Sequence, residues 1–456
     1  MGEYFPYLPS MVLIEGDWRI PNSEMSGILT LGLPEDPKKP EALLQAAVLE
    51  VKANTNRVLL RASPRLQAAY RTRQIAVRWV RFNSPVSEFR PPEFFDLARR
   101  LDPGAKNNRQ HAFGDGHLQI WGVLFPEEVA WRTGGEGWVF ICAHQQPAFE
   151  PYSKPLLTHR HFKAKKRMNT SYYFSGAGRA GPRDLHVRAP ELEPLRSHTV
   201  ALFGLGCVGA PSAIELVRAG IGELRILDHD IVDPGTVSRW PLGLSVAGQY
   251  KAKVMAEWIR RDYPHTKVVE YEHQVGHTRF GDPSLTPSDE EILKKMTTGA
   301  SLIYDATAES GVQYFLADLA SELEIPYIAV SGTYGGWGGK IVRIYPGHTA
   351  GCWLCYKHWI DDGSISEPPE KVNDEVQPTG CGDPTFTGAG FDLAQVALAS
   401  VRSAVSTLCA DHPNGYPPTN WDVLTISYRT ADGSLIPPVF TQHNIAKHPK
   451  CPRCQQ

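Results

Sequence analysis

The stretch HTVALFGLGCVGAPSAIELVRAGIGELRILDHD, His198 to Asp230, decides how this chain is read. An apolar run enters a turn with glycine at Gly204, Gly206 and Gly209, an apolar helix follows, and a second apolar run ends at Asp228. That order is one β-α-β unit suited to holding a nucleotide. Glycines permit a tight turn and close approach of backbone to phosphate, and the helix N-terminus offers N–H groups to the anion. A carboxylate at the end of the second strand takes ribose hydroxyls. Gly204, Gly206, Gly209 and Asp228 are therefore the expected nucleotide-binding residues. Alone, the pattern would suit a dinucleotide-dependent oxidoreductase equally well.

Residues just downstream move the reading toward a triphosphate. Arg239 in TVSRW and Lys251 in GQYK follow shortly after Asp228. Hydride transfer has no use for two cations there. The outer phosphates of ATP need them, both for binding and for the charge that develops during phosphoryl or adenylyl transfer. Either residue alone would read as a surface charge; their joint spacing from the glycine turn makes them candidates.

Beyond this unit the pattern continues as strand–helix alternation. Helices are expected at 247–263 and 313–323, and strands at 268–271, 301–305 and 327–331. Such alternation predicts a largely parallel sheet with helices on its faces. Further strands at 340–345, 422–428 and 439–443, with a long helix at 388–408, predict an antiparallel extension. Upstream, residues 1–160 mix short apolar stretches (75–80, 118–125, 138–142) with turn residues and one helix at 92–101, an α+β texture. The expected division is an N-terminal accessory domain at 1–175, a linker at 176–197 and a nucleotide domain at 198–456.

Eight cysteines are present, four of them as two Cys-x-x-Cys pairs, Cys352/Cys355 and Cys451/Cys454. Four thiolates from two such knuckles make a closed tetrahedral Zn2+ site, structural because no position stays open to substrate. Two unrelated dithiols are the alternative. Cys381 lies in QPTGCGDPTFTG, a glycine-flanked polar loop, where an accessible thiolate nucleophile competes with a packing thiol. Cys142 closes an apolar strand and reads as buried, with a second thioester carrier as the alternative.

A chain of 456 residues with net charge −2 has no bias toward nucleic acid or anionic membranes. The basic run Lys163 to Arg167 reads as a solvated surface stretch. No apolar run reaches the roughly 18 residues of a membrane span, and no signal-peptide pattern is apparent at the start. The expectation is a soluble cytoplasmic protein that binds neither nucleic acid nor membrane.

From about His198 to Cys454 the chain resembles the ThiF/MoeB/HesA family of adenylating enzymes, the prokaryotic relatives of ubiquitin-activating enzymes. The resemblance rests on GLGCVG, ILDHD, TVSRW, GQYK, IYDATAE, the paired cysteine knuckles and the cysteine loop between them. It implies a Rossmann-like α/β domain with mixed sheet and structural zinc, preceded here by a smaller α+β domain. It further implies that the glycine loop, Asp228 and Asp305 hold Mg2+-ATP, and that Arg239 and Lys251 contact its phosphates. Cys381 matches the position that carries a thioester or persulfide in some members. The implied reaction is attack of the C-terminal carboxylate of a ubiquitin-like β-grasp protein on the α-phosphate, giving acyl-adenylate and pyrophosphate. The implied partners are that modifier, a conjugating-type protein and a second copy of the chain. Accessory domains fused to such enzymes occur in bacterial ubiquitin-like conjugation and antiphage systems, and the α+β texture of the N-terminal region allows a conjugating-type domain, a catalytically dead version of one or a separate recognition domain.

Two positions depart from the family pattern. Ala308 stands where an aspartate is usual, leaving Glu309 or Asp305 to supply the carboxylate, and Thr236 stands where asparagine is common. An arginine contributed across a dimer would be Arg183 or Arg188. Activation of a sulfur-carrier protein and a non-catalytic scaffold binding a β-grasp partner are the rival functions.

Overall fold

This computed structural model describes residues 7–15, 20–33, 46–84, 90–113, 116–130, 133–147, 168–181, 184–276, 287–376 and 385–454. The chain divides into two compact units, Met1–Arg188 and Ala189–Gln456.

The first unit comprises β1 (Tyr7–Ile14), β2 (Ser26–Leu33), β3 (Ala47–Ala53), β4 (Val58–Arg61), α1 (Pro64–Ala69), β5 (Arg73–Arg81), α2 (Pro91–Leu101), β6 (His111–Phe113), β7 (Gly116–Ala130), β8 (Thr133–Pro147) and β9 (Met168–Arg179). The strands run in the order β1-β9-β8-β7-β5-β2-β3-β4, and β1 also pairs with β3 through Leu13↔Ala47, so the sheet closes on itself. Alternation along each strand sends one set of side chains inward. Leu29, Leu31, Val77, Trp79, Ile120, Phe140 and Cys142 share one buried cluster there. The opposite faces of β7, β8 and β9 pack Trp121, Val123 and Ile141 against Phe94, Phe95 and Ala98 of α2. Arg78 and Asp102 form a buried ion pair, with Arg78 Nε donating to Asp102 Oδ2 at 2.7 Å. The glycine-rich 133–137 is part of β8. It pairs with the end of β7, and a Cβ at Gly137 would collide with Glu127.

The stretch expected as linker is largely ordered. Residues 176–179 continue β9, paired with β1 and β8. Pro190–Ser197 forms a 3-10 helix whose Leu195 is fully buried in the second unit's core. Long-range pairing at one end and burial at the other hold the stretch.

The second unit comprises β10 (Thr199–Phe203), α3 (Gly209–Arg218), β11 (Glu223–Leu227), α4 (Lys251–Asp262), β12 (Lys267–Tyr271), α5 (Asp289–Thr297), β13 (Leu302–Asp305), α6 (Ser310–Glu322), β14 (Tyr327–Gly332), β15 (Gly338–Ile344), α7 (Trp353–Asp361), β16 (Glu375–Val376), β17 (Thr385–Phe386), α8 (Gly390–Leu408), β18 (Val423–Arg429) and β19 (Leu435–His443). Its main sheet runs β12-β11-β10-β13-β14-β15-β18-β19, parallel from β12 to β14 and antiparallel from there on. The central strands are apolar on both faces because helices cover both. Val200 and Leu202 join a core with α3, α4 and α8, while Ala201 and Phe203 join one with α5, α6 and α7. Each large apolar side chain so buried contributes about 1.5–3 kcal/mol. Small residues let α8 approach closely: Tyr304 donates to Ser212 Oγ at 2.7 Å and also bonds Ser400.

Candidate nucleotide and metal sites

Strand order reverses at β10, whose neighbours are β11 on one side and β13 on the other, and ligands in such sheets bind at the carboxyl ends of the strands flanking that point. The loop after β10 (204–208) and the loop after β13 (306–309) meet there. Gly204 adopts φ +86°, and a Cβ on it would lie 2.8 Å from the Ala306 carbonyl carbon and oxygen. Gly209 opens α3, and its Cβ would lie 2.0 Å from the Gly204 oxygen. Both glycines are thus demanded by the fold. Gly206 is different: its φ is ordinary and a Cβ there would meet nothing within 4 Å. Open space above a glycine at the head of a helix, beside N–H groups that lack an i−4 partner, fits a phosphate.

Asp228 follows β11 and turns back over the loop. Its Oδ2 accepts from Leu205 N at 2.5 Å and its Oδ1 from Asp230 N at 2.8 Å. Burial raises its pKa above the usual carboxylate value, opposed by the Lys251 charge and the Leu205 and Asp230 N–H groups. Lys251 reaches the site because the chain doubles back. Val232 donates to Gln249 O, Gly248 (φ +81°) donates to Val232 O, and Ile231 bridges Tyr250. That pairing delays the helix expected from 247, so α4 starts at Lys251, whose Nζ sits 2.8 Å from Asp230 Oδ2. Arg239 is carried by a 3-10 turn capped by Asp233. It donates from Nη1 to Phe386 O at 2.5 Å and from Nη2 to Thr385 Oγ1 at 2.7 Å. The Cys207 thiol in the loop is pushed up by burial and drawn down by the Arg239 and Lys251 charges.

Asp305, the last residue of β13, is fully buried. Its Oδ1 accepts from Thr307 N and Thr307 Oγ1 and its Oδ2 from Tyr327 Oη, at 3.0, 2.7 and 2.8 Å. Burial raises its pKa. With both oxygens enclosed it holds the 305–309 loop and does not fit a Mg2+ ligand. Glu309 is the exposed carboxylate of that loop, and it caps α6 by accepting from Val312 N at 2.8 Å. Ala308 occupies the left-handed region at φ +57°, which for an alanine costs about 1–2 kcal/mol.

Cys352, Cys355, Cys451 and Cys454 converge, with all four sulfurs within 4.8 Å of one another. Cys352 Sγ lies 3.9 Å from Cys355 Sγ and 3.6 Å from Cys451 Sγ. A tetrahedron with metal–sulfur bonds of about 2.3 Å has edges of about 3.8 Å, so the set fits Zn2+. The first knuckle opens α7. The second is brought to it by Gly351 N donating to Ile445 O at 2.7 Å and His448 N donating to Cys355 Sγ at 3.3 Å.

Cys381 and Arg183 lie outside the described residues. Cys142 is fully buried, and burial pushes its thiol far above the ordinary range, which removes it as a thioester carrier. Three contributors were not picked out from the sequence. Asp230 is one, although its place two residues after Asp228 in DHD was a usable signal. The others are Trp240, whose Nε1 donates to Leu205 O at 2.7 Å, and the Thr385–Phe386 pair that holds Arg239. Nothing local marks these.

Comparison with known proteins agrees with this geometry: the ThiF family model matches residues 183–452. The chain belongs to the ThiF family. Uncharacterized protein y4oA of Sinorhizobium fredii is 27% identical over 97% of this chain and 72% of its own length. The adenylyltransferase and sulfurtransferase UBA4 of Saccharomyces cerevisiae is 26% identical over 36% of this chain, which spans only 34% of UBA4. Among solved structures, E. coli MccB with ATP is similar over 57% of this chain and 68% of that one, at 16% identity and a TM-score of 0.41. No helix among the described residues is long and apolar enough to cross a membrane.

Proposed function

We propose that this ThiF-family chain is an ATP-dependent adenylyltransferase that activates the C-terminal carboxylate of a ubiquitin-like β-grasp protein and then takes the acyl group onto Cys381. The observation that carries the reading is the open space at Gly206 at the head of α3, with Asp228 bonded to the same loop and Lys251 held 2.8 Å from Asp230 two residues on. Gly206 and the first turn of α3 would hold the phosphates, Asp228 the ribose, and Arg239 and Lys251 the charge on the phosphate chain. The modifier's carboxylate oxygen attacks the α-phosphorus, the bond to the bridging oxygen breaks, and pyrophosphate leaves. The Cys381 thiolate then attacks the acyl carbon and AMP departs. Asp305 acts as a positioning group, and Glu309 is the carboxylate of that loop open to a Mg2+ ion. Zn2+ on the four cysteines ties the last residues to α7 and takes no part in the chemistry.

The reading extends to a cytoplasmic homodimer whose N-terminal unit recognises the modifier or a conjugating-type partner in a bacterial conjugation or antiphage pathway. Cys142 being sealed inside that unit favours recognition over catalysis there. A second reading, a scaffold that holds ATP and a β-grasp partner without turnover, draws support from Ala308. The test uses Mg2+-ATP and a β-grasp protein ending in Gly-Gly. The wild-type chain forms a thiol-labile conjugate, whereas Cys381→Ala releases pyrophosphate but forms none. An undiminished conjugate in that variant removes Cys381, and loss of pyrophosphate release from the wild type favours the scaffold.

A further inference from the structure

Leu205, between the two glycines of the loop, is held at both its peptide groups. Its N–H donates to Asp228 Oδ2 at 2.5 Å, and its carbonyl accepts from the Trp240 indole Nε1 at 2.7 Å. Trp240 is buried, in the same core cluster as Leu205 and Val208. Its place is set by the turn that also carries Arg239: Trp240 N and Arg239 N both donate to Thr236 O at 2.9 Å, and Asp233 Oδ1 accepts from Gly235 N at 2.6 Å.

A trans peptide is planar, with its C=O and N–H pointing in opposite directions. The carbonyl of Leu205 and the N–H of Gly206 belong to one peptide. With the carbonyl drawn inward to the buried indole, the Gly206 N–H points the opposite way, away from the core, and a Cβ built on the same residue would meet nothing within 4 Å. Such a peptide would otherwise rotate easily, because glycine accepts either orientation. We propose that Trp240 is a positioning residue for nucleotide binding, aiming the Gly206 N–H at a phosphate by anchoring the Leu205 carbonyl. The proposal rests on the reading of this loop as an ATP site. It gives Trp240 a role distinct from packing: the donor is oriented before the anion arrives, so no reorganisation is needed on binding.

Trp240→Phe keeps an aromatic ring but removes the N–H donor together with part of the buried indole. Titrations of the full chain with a non-hydrolysable ATP analogue and, separately, with adenosine separate anchoring from packing. Adenosine has no phosphate to engage Gly206. The expected result is roughly tenfold weaker binding of the ATP analogue with adenosine affinity nearly unchanged, while the melting temperature falls from the lost packing in both readings. Unchanged affinity for the analogue, or equal losses for analogue and adenosine, overturns the proposal. If the wild-type chain binds neither ligand, the nucleotide reading itself fails, an outcome distinct from either of these. Should Trp240→Phe lose its folding transition, a crystal structure of the wild type with the analogue decides. Gly206 N within hydrogen-bonding distance of a phosphate oxygen, with Trp240 still on Leu205, upholds the proposal, and a phosphate bound elsewhere overturns it.

Discussion

Gly206→Ala and Gly209→Ala should have opposite effects, although they lie three residues apart in one loop. At Gly209 the added Cβ would sit 2.0 Å from the Gly204 oxygen and 3.0 Å from the Ala306 side chain, so α3 must move away from the sheet. Overpacking of this kind costs about 1–3 kcal/mol. At Gly206 the added methyl meets nothing within 4 Å and φ is ordinary, so the folded state accepts it. Restricting the unfolded chain should then stabilise Gly206→Ala by about 0.4–1 kcal/mol. The same methyl occupies the space assigned to phosphate. Losing one or two charge-assisted hydrogen bonds, each about 1.5–3 kcal/mol, weakens ATP binding roughly ten- to hundredfold or more. Chemical denaturation gives the stabilities and isothermal titration with a non-hydrolysable ATP analogue gives the affinities. A Gly206→Ala variant that binds ATP like the wild type would remove the phosphate from this loop. One that is destabilised as much as Gly209→Ala would refute the distinction between folding and binding glycines.

The remaining predictions concern the metal and the first unit. Elemental analysis should find about one Zn2+ per chain, lost in Cys451→Ser. Even about 3 kcal/mol of lost metal-binding free energy lowers the melting temperature by roughly 6–12 °C, and a metal-free chain with unchanged melting would remove the zinc reading. Asp102→Ala leaves Arg78 charged and buried, and should cost about 3–5 kcal/mol in the denaturation of the first unit, with ATP binding by the second retained. A loss below about 1 kcal/mol would mean that the pair behaves as an exposed one.

The nucleotide unit was legible because its signals are local. Glycine spacing at 204–209, the apolar runs 199–203 and 302–305, and the acid at Asp228 each have one physical explanation, and the strands and α3 form where those patterns end. The convergence of the two cysteine pairs was legible for the same reason, since each pair carries its own spacing. Closure of the first unit was not legible: it depends on β1 meeting β3 and β9, pairings set by distant backbone rather than by any residue in β1. The start of α4 shifted because residues 248–250 pair with 231–232, a contact that helical periodicity cannot register. Arg239 could be recognised as a cation near the site, but its partners Thr385 and Phe386 lie far along the chain and carry no charge. Asp305 was read through family resemblance as a nucleotide ligand. The structure makes it a holder of the loop, because burial and three donors enclose its oxygens.

The central claim is that this chain forms an acyl-adenylate, and exchange of labelled pyrophosphate into ATP reads that step directly, because label returns to ATP only by reversal of adenylation. The account predicts exchange that requires a β-grasp protein with a free C-terminal carboxylate and that disappears in Lys251→Ala. Stoichiometric NAD binding, or ATP binding with no exchange across a panel of such proteins, would contradict it.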